Sequence, residues 1–140
     1  MVSGIKTNEE VLSVYKLLKN DRKLKALTIK INDKTELEVE KEFPSKDFKH
    51  DEFVSAFPAN EGRFGIIDIE YDKEDRKDYK IVFILWCPIG AKAIQKMKYS
   101  TSVNGIIDGL GSIGAHIQAD CPADISVEKI VEKLHDRFGK

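Results

Sequence analysis

The sequence predicts an α/β fold in which a central mixed β-sheet of five to six strands is flanked by helices on both faces. Three observations carry this reading. Residues 81–87 (IVFILWC) form a continuous apolar run rich in β-branched and aromatic residues. Such a run is too short to cross a bilayer and suits a strand covered on both faces. Residues 63–71 alternate, with Ile67, Ile69 and Tyr71 on one face and Asp68 and Glu70 on the other, the pattern of a strand. Residues 127–138 place Val127, Ile130, Val131, Leu134 and Phe138 three and four apart, which predicts a helix burying all five.

The remaining elements follow in chain order. Thr7-Asn8-Glu9-Glu10 fits a capping box, in which the Thr7 hydroxyl and the Glu10 carboxylate satisfy the first free amides of a helix. Val11, Val14 and Leu17 or Leu18 continue at helical spacing, and the charged residues 19–25 end it as a turn. Two strands are expected near 26–31 and 36–40, joined through Asn32-Asp33-Lys34, a hairpin signal. Residues 45–57 suit a short helix carrying Phe48, Phe53 and Phe57, closed by Pro58. The charged segment 72–78 reads as a loop into the central strand. Pro88 and Gly90 stop that strand, and a helix-compatible segment starts near Ala91. Its second half carries Gly105, Gly109 and Gly111, and an interior helical glycine costs about 1 kcal/mol relative to alanine, so this half is expected to be short, frayed or stabilised mainly by packing. His116-Ile117-Gln118-Ala119 is a short strand candidate, and Ser126 is a good N-cap for the last helix.

Composition narrows the function classes. The 140 residues suffice for one domain with a real core, and 41% hydrophobic with 34% charged residues fits a globular protein outside the membrane. The 23 basic and 24 acidic residues leave a formal net charge of −1, without the basic excess of a nucleic-acid binder. Two cysteines, Cys87 and Cys121, with no C-x-x-C spacing, point to a reduced, cytoplasmic chain rather than a disulfide framework or a metal site. The first residues, MVSGIKTNEE, lack the apolar core of a signal peptide, and no stable membrane insertion is expected.

Few residues point to chemistry. Gly109-Leu110-Gly111-Ser112-Ile113-Gly114 matches G-x-G-x-x-G, but a dinucleotide loop needs a strand before it and a helix after it, the reverse of the order here. It reads instead as a helix unwinding through glycines. Asp68, Glu70 and Asp72 read as the solvated face of a strand rather than a catalytic pair. His50, His116 and His135 share no metal-ligand spacing. Ser3 is an ordinary tail serine or a phosphorylation switch that would repel an acidic partner. Lys92 and Lys96, four apart, share one helical face, with Met97 and Lys98 alongside; this is either a solvated face or a protein-binding one.

An ordered set of segments resembles the actin-depolymerising factor/cofilin family over nearly the whole chain. Met1-Val2-Ser3-Gly4-Ile5 is similar to the family's start, and Asp68-Ile69-Glu70-Tyr71 to its D-F-E-Y strand. Lys80-Ile81-Val82-Phe83 with Trp86-Cys87-Pro88 resembles K-[IL]-V-F…W-x-P. Lys96-Met97-x-Tyr99-Ser100-x-Ser102 resembles K-M-x-Y-[AS]-S-S, and Ile117-Gln118-Ala119 resembles I-Q-A. The resemblance implies one homology domain over residues 1–140, binding of actin monomers and filaments, filament severing and depolymerisation, and no enzymatic step or cofactor. It implies a monomer associated with the cytoskeleton. It assigns Ser3, Gly4, Ile5, Lys96 and Met97, with Lys92 and Lys98 beside them, to a monomer-binding site. Lys80, Glu132 and Lys133 fall on a second, filament-binding surface, and Ser3 on an inhibitory phosphorylation position.

The chain departs from the family pattern. Ile94, Val103, Ile107 and Asp108 stand where basic residues are usual, and Asp78-Tyr79 precede Lys80. Three lysines against Asp108 leave +2 between positions 91 and 112, so an altered or weakened actin interface is expected. Pro88-Ile89-Gly90-Ala91-Lys92 resembles the glia-maturation-factor subfamily, whose members act on the branched-actin nucleator, and this is the alternative. Phosphoinositides are a further partner that the lysines suit.

Overall fold

The computed structural model describes residues 7–139. Helix α1 (Glu9–Lys19) leads into strands β1 (Leu24–Ile31) and β2 (Leu37–Pro44), then helix α2 (His50–Ser55). Strands β3 (Arg63–Lys73) and β4 (Arg76–Trp86) form a long hairpin. Helix α3 (Ala93–Leu110), strand β5 (Ala115–Ala119), a 3-10 turn (Pro122–Ile125) and helix α4 (Val127–Phe138) complete the described residues. The five strands make one sheet in the order β2-β1-β3-β4-β5. The first four pair antiparallel, while β5 runs parallel to β4, from Val82 opposite Ala115 to Trp86 opposite Ala119. The sheet is therefore mixed, as expected, and α3 is the crossover that a parallel pair requires.

Each face of the sheet closes its own core. On one face, Val11, Tyr15 and Leu18 of α1 and Tyr99, Val103, Ile106 and Leu110 of α3 pack on Leu27, Ile29, Phe64, Ile66, Phe83 and Leu85. On the other, Phe53 and Phe57, then Ile125, Ile130 and Leu134, pack on Ala26, Ile67, Ile69, Val82, Ile84, Trp86 and Ile117. Residues 82–86 of β4 thus feed both cores alternately, which is why that stretch is apolar without interruption. The Trp86 indole N–H donates to the Pro58 carbonyl at 2.7 Å, satisfying the polar edge of the largest buried ring.

Several local expectations are corrected. The N-cap of α1 is Asn8, whose side chain accepts from the Val11 amide at 3.0 Å. Glu10 does not reach back; its carboxylate accepts from the Val39 amide on β2 at 3.0 Å. Thr7 is left with a buried hydroxyl that has no partner among the described residues. Residues 72–78 are mostly strand, because Asp72 and Lys77 pair across the hairpin at 2.6 Å and only Glu74 and Asp75 remain at its tip. Val127, expected in the core, is 40% exposed, since it is the first residue of α4 and lies beyond the packed turns. Asp68 is not on a solvated face: its side chain is only 14% exposed, and burial raises its pKa, with Lys25 and Arg22 opposing. Of the alternatives for the second half of α3, stabilisation by packing is the one observed: the helix continues through Gly105 and Gly109 on buried Val103, Ile106 and Leu110 and ends at Gly111, whose positive φ of 68° suits glycine.

Candidate protein-binding surface

Helix α3 is seated by its buried side. Tyr99 lies against Phe64, ring centroids 4.9 Å apart, and its hydroxyl accepts the Ile31 amide at 2.9 Å. Burial of that ring raises its pKa, so the hydroxyl stays protonated at any ordinary pH. Gln95 accepts the Gly62 amide at 2.8 Å through its side-chain oxygen. Val103, Ile106 and Leu110 continue the buried stripe at spacings of three and four.

The opposite side of the helix faces solvent and is partly apolar. Ile94 is 63% exposed and Met97 59%. Lys92 and Lys98 are exposed and Lys96 is half-buried, and no ion pair engages any of the three among the described residues. In the turn before the helix Ile89 is 80% exposed. Ile94 and Met97 on the helix and Ile89 in the turn before it are held in water close in sequence to three cations without ion pairs among the described residues. Such a surface suits a protein partner with an acidic, partly apolar face. Ser3, Gly4 and Ile5, expected beside it, lie outside the described residues.

The second predicted surface lies on the opposite core's helix. Lys80 of β4 reaches the Phe138 ring of α4, its ammonium 4.6 Å from the centroid, and pairs with Asp78 at 3.7 Å. Glu132 and Lys133 are exposed on α4. The Lys80–Phe138 contact therefore brings β4 and α4 together at one end of the domain. Glu132 sits six residues before Phe138, roughly 9 Å along the helix axis.

Comparison with known proteins decides the family. The family described as cofilin/tropomyosin-type actin-binding protein matches residues 4–135. The chain belongs to the actin-depolymerising factor/cofilin family. It is 34% identical to actophorin of Entamoeba histolytica over 95% of this chain and 96% of that protein. It is 35% identical to cofilin of Schizosaccharomyces pombe, covering 94% of this chain and 96% of that one. Among solved structures, the crystal structure of Streptomyces griseoflavus cofilin superposes with a TM-score of 0.82 at 32% identity, covering 93% of this chain and 96% of that chain.

Two of the three histidines tie elements of this cofilin-type fold together, and the third, His116, is exposed on β5. His50 Nε2 lies 2.7 Å from the Ile125 carbonyl, tying α2 to the 3-10 turn, and His135 Nε2 lies 2.7 Å from the Asp72 carbonyl. The G-x-G-x-x-G segment occupies the C-terminal end of α3 and the loop into β5, so it offers no helix N-terminus to a phosphate. A cleft of about 350 Å³ beside that loop holds Lys19, Arg22, Lys80 and Asp68, but Arg22 pairs with Asp68 at 3.6 Å. Asp120, Cys121 and Asp124 cluster near the 3-10 turn, where Asp124 accepts the Asp120 amide and is held below the usual carboxylate range by it. Among the described residues no helix is long and apolar enough to cross a membrane.

Sequence reasoning treated Ile94 only as a missing cation and did not single out Ile89. The available signal was position. Ile94 lies off the stripe 99-103-106-110, on the line 94-97-101-105-108 that the structure leaves exposed.

Proposed function

We propose that this chain binds actin monomers and filaments and promotes severing and depolymerisation, through an interface altered relative to its relatives. The observation that carries this is the solvent-facing side of α3, where Met97 and Ile94 stand exposed among Lys92, Lys96 and Lys98 on a firmly seated helix. The monomer site then comprises those residues together with Ser3, Gly4 and Ile5. Lys80, Glu132 and Lys133 form the filament surface. Phosphorylation of Ser3 would add about −1.5 to −2 charges and weaken association with an acidic partner. The protein acts as a monomer associated with the cytoskeleton and performs no covalent chemistry. Phosphoinositide headgroups compete for the same lysines.

The reduced cation count predicts slower, less salt-sensitive association, because steering depends on charge while apolar contact does not. Cosedimentation with filaments, pyrene-actin assays and microscopy of filament length test the reading. Saturable binding with faster subunit loss is the expected result, and no effect on monomers or filaments would sink it. Debranching of actin networks without filament shortening would replace it with the glia-maturation-factor-like reading.

A further inference from the structure

We propose that Gly109 is a positioning residue: its bare Cα forms the notch that seats Thr7 and so fixes where the N-terminal segment joins α3. This rests on the actin-binding reading, in which residues 3–5 and α3 contact one partner together. The two interior glycines of α3 differ in their surroundings. A Cβ at Gly105 would meet nothing within 4 Å. A Cβ at Gly109 would overlap Thr7 Cγ2, with Thr7 Cβ at 3.4 Å. Threonine is β-branched and stiff about χ1, and that methyl lies one bond from its Cβ, so relief requires Thr7 itself to move.

A second observation concerns the same contact. The Thr7 hydroxyl is buried with no hydrogen-bond partner among the described residues, and the capping role open to it is taken by Asn8. A threonine held where its hydroxyl is orphaned is held by its methyl. Next in the chain, the Asn8 side-chain amide donates to the Leu37 carbonyl at 2.9 Å and its oxygen accepts from Val11, so the residue that follows Thr7 is itself fixed. Seating Thr7 at Gly109 sets where the chain before it leaves the domain, beside α3, and a displaced Thr7 would carry residues 3–5 away from the partner they share with α3.

Gly105→Ala and Gly109→Ala make the test, since helix propensity favours both substitutions alike. Trypsin cleavage after Lys6, followed by release of the N-terminal peptide, should quicken severalfold in Gly109→Ala and stay unchanged in Gly105→Ala. Monomer affinity should fall about tenfold in Gly109→Ala alone, the scale of one lost ordered contact. The double variant Thr7→Ser/Gly109→Ala, which removes the methyl that the new Cβ would meet, should restore both readouts. In a chain lacking residues 2–6, Gly109→Ala should leave affinity unchanged, an outcome a purely helical effect would not produce. If the wild-type chain binds actin and Gly109→Ala matches Gly105→Ala in cleavage and affinity, the positioning role is overturned alone. If the wild-type chain binds no actin, the functional reading falls and this inference falls with it.

Discussion

Helix α4 opens on the Ser126 hydroxyl, which accepts the Lys129 amide at 3.2 Å, whereas α3 opens on Lys92, whose side chain caps nothing. The contrast continues along both helices. Helix α4 has Glu128 in its first turn and His135 and Arg137 in its last, matching the helix dipole; α3 has no acidic residue in its first turn and no basic one in its last. Ile130 and Leu134 form the buried stripe of α4, and apart from Val127 at its first position the wholly exposed side is charged. The exposed side of α3 includes Ile94 and Met97, and its interior includes two glycines. The cap, the terminal charges and the buried stripe of α4 are accounted for by folding, and its exposed Glu132 and Lys133 belong to the proposed filament surface. Helix α3 is held by tertiary packing in spite of its local signals, and the residues that folding leaves unexplained are the ones proposed to meet actin.

That contrast can be broken by measurement. The largest effect is expected from Ile130→Ala, a fully buried side chain, which should cost about 2–5 kcal/mol in urea denaturation. A much smaller loss would mean that α4 contributes less to the core than its packing indicates. Lys96→Ala/Met97→Ala should leave stability within about 0.5 kcal/mol, because the methionine is exposed and the lysine unpaired. Its actin affinity should fall about tenfold, or ~1.4 kcal/mol; unchanged affinity would remove this pair from the site. Ser126→Ala should destabilise the fold by about 1 kcal/mol through loss of the cap. At the small end, Lys92→Asp should stabilise α3 by about 0.5 kcal/mol by supplying the missing cap. The same change should weaken actin binding, so a rise in melting temperature with a fall in affinity is the expected signature. Parallel movement of the two would place Lys92 outside the interface.

The parts of the fold legible in the sequence were those where one physical requirement acted alone. Residues 82–86 had to be apolar on both faces, and they lie in the longest uninterrupted apolar run of any strand. The β3–β4 hairpin was underestimated because Asp72, Lys73, Arg76 and Lys77 are strand residues through the backbone ladder that continues to the tip, a cross-strand pairing that the alternation of a single strand does not register. At the start of α1, Thr7 and Asn8 are both good caps and adjacent, and the choice between them depends on Leu37 and Gly109, far away in the chain. Asp68 looked solvated because alternation places it opposite Ile67; what covers it is Arg22, in a turn whose path the sequence does not specify. At the candidate site, the lysines and Met97 were visible through family resemblance. Ile94 needed the helix phase, which only the seating of Tyr99 and Val103 settles, and Ile89 the path of the turn before the helix.

The parallel pairing of β4 with β5 has a mechanical consequence. Helix α3, 18 residues and about 27 Å long, is joined at one end to the penultimate strand β4 and at the other to the edge strand β5. Gly114 adds a further fastening by donating its amide to the Ile81 carbonyl at 2.8 Å. A load applied along α3 by a bound partner is shared between two neighbouring strands and acts as shear on their hydrogen bonds rather than peeling them one at a time. The helix therefore behaves as a beam fixed at both ends, which would pass strain to a partner bound there without first detaching from its own domain.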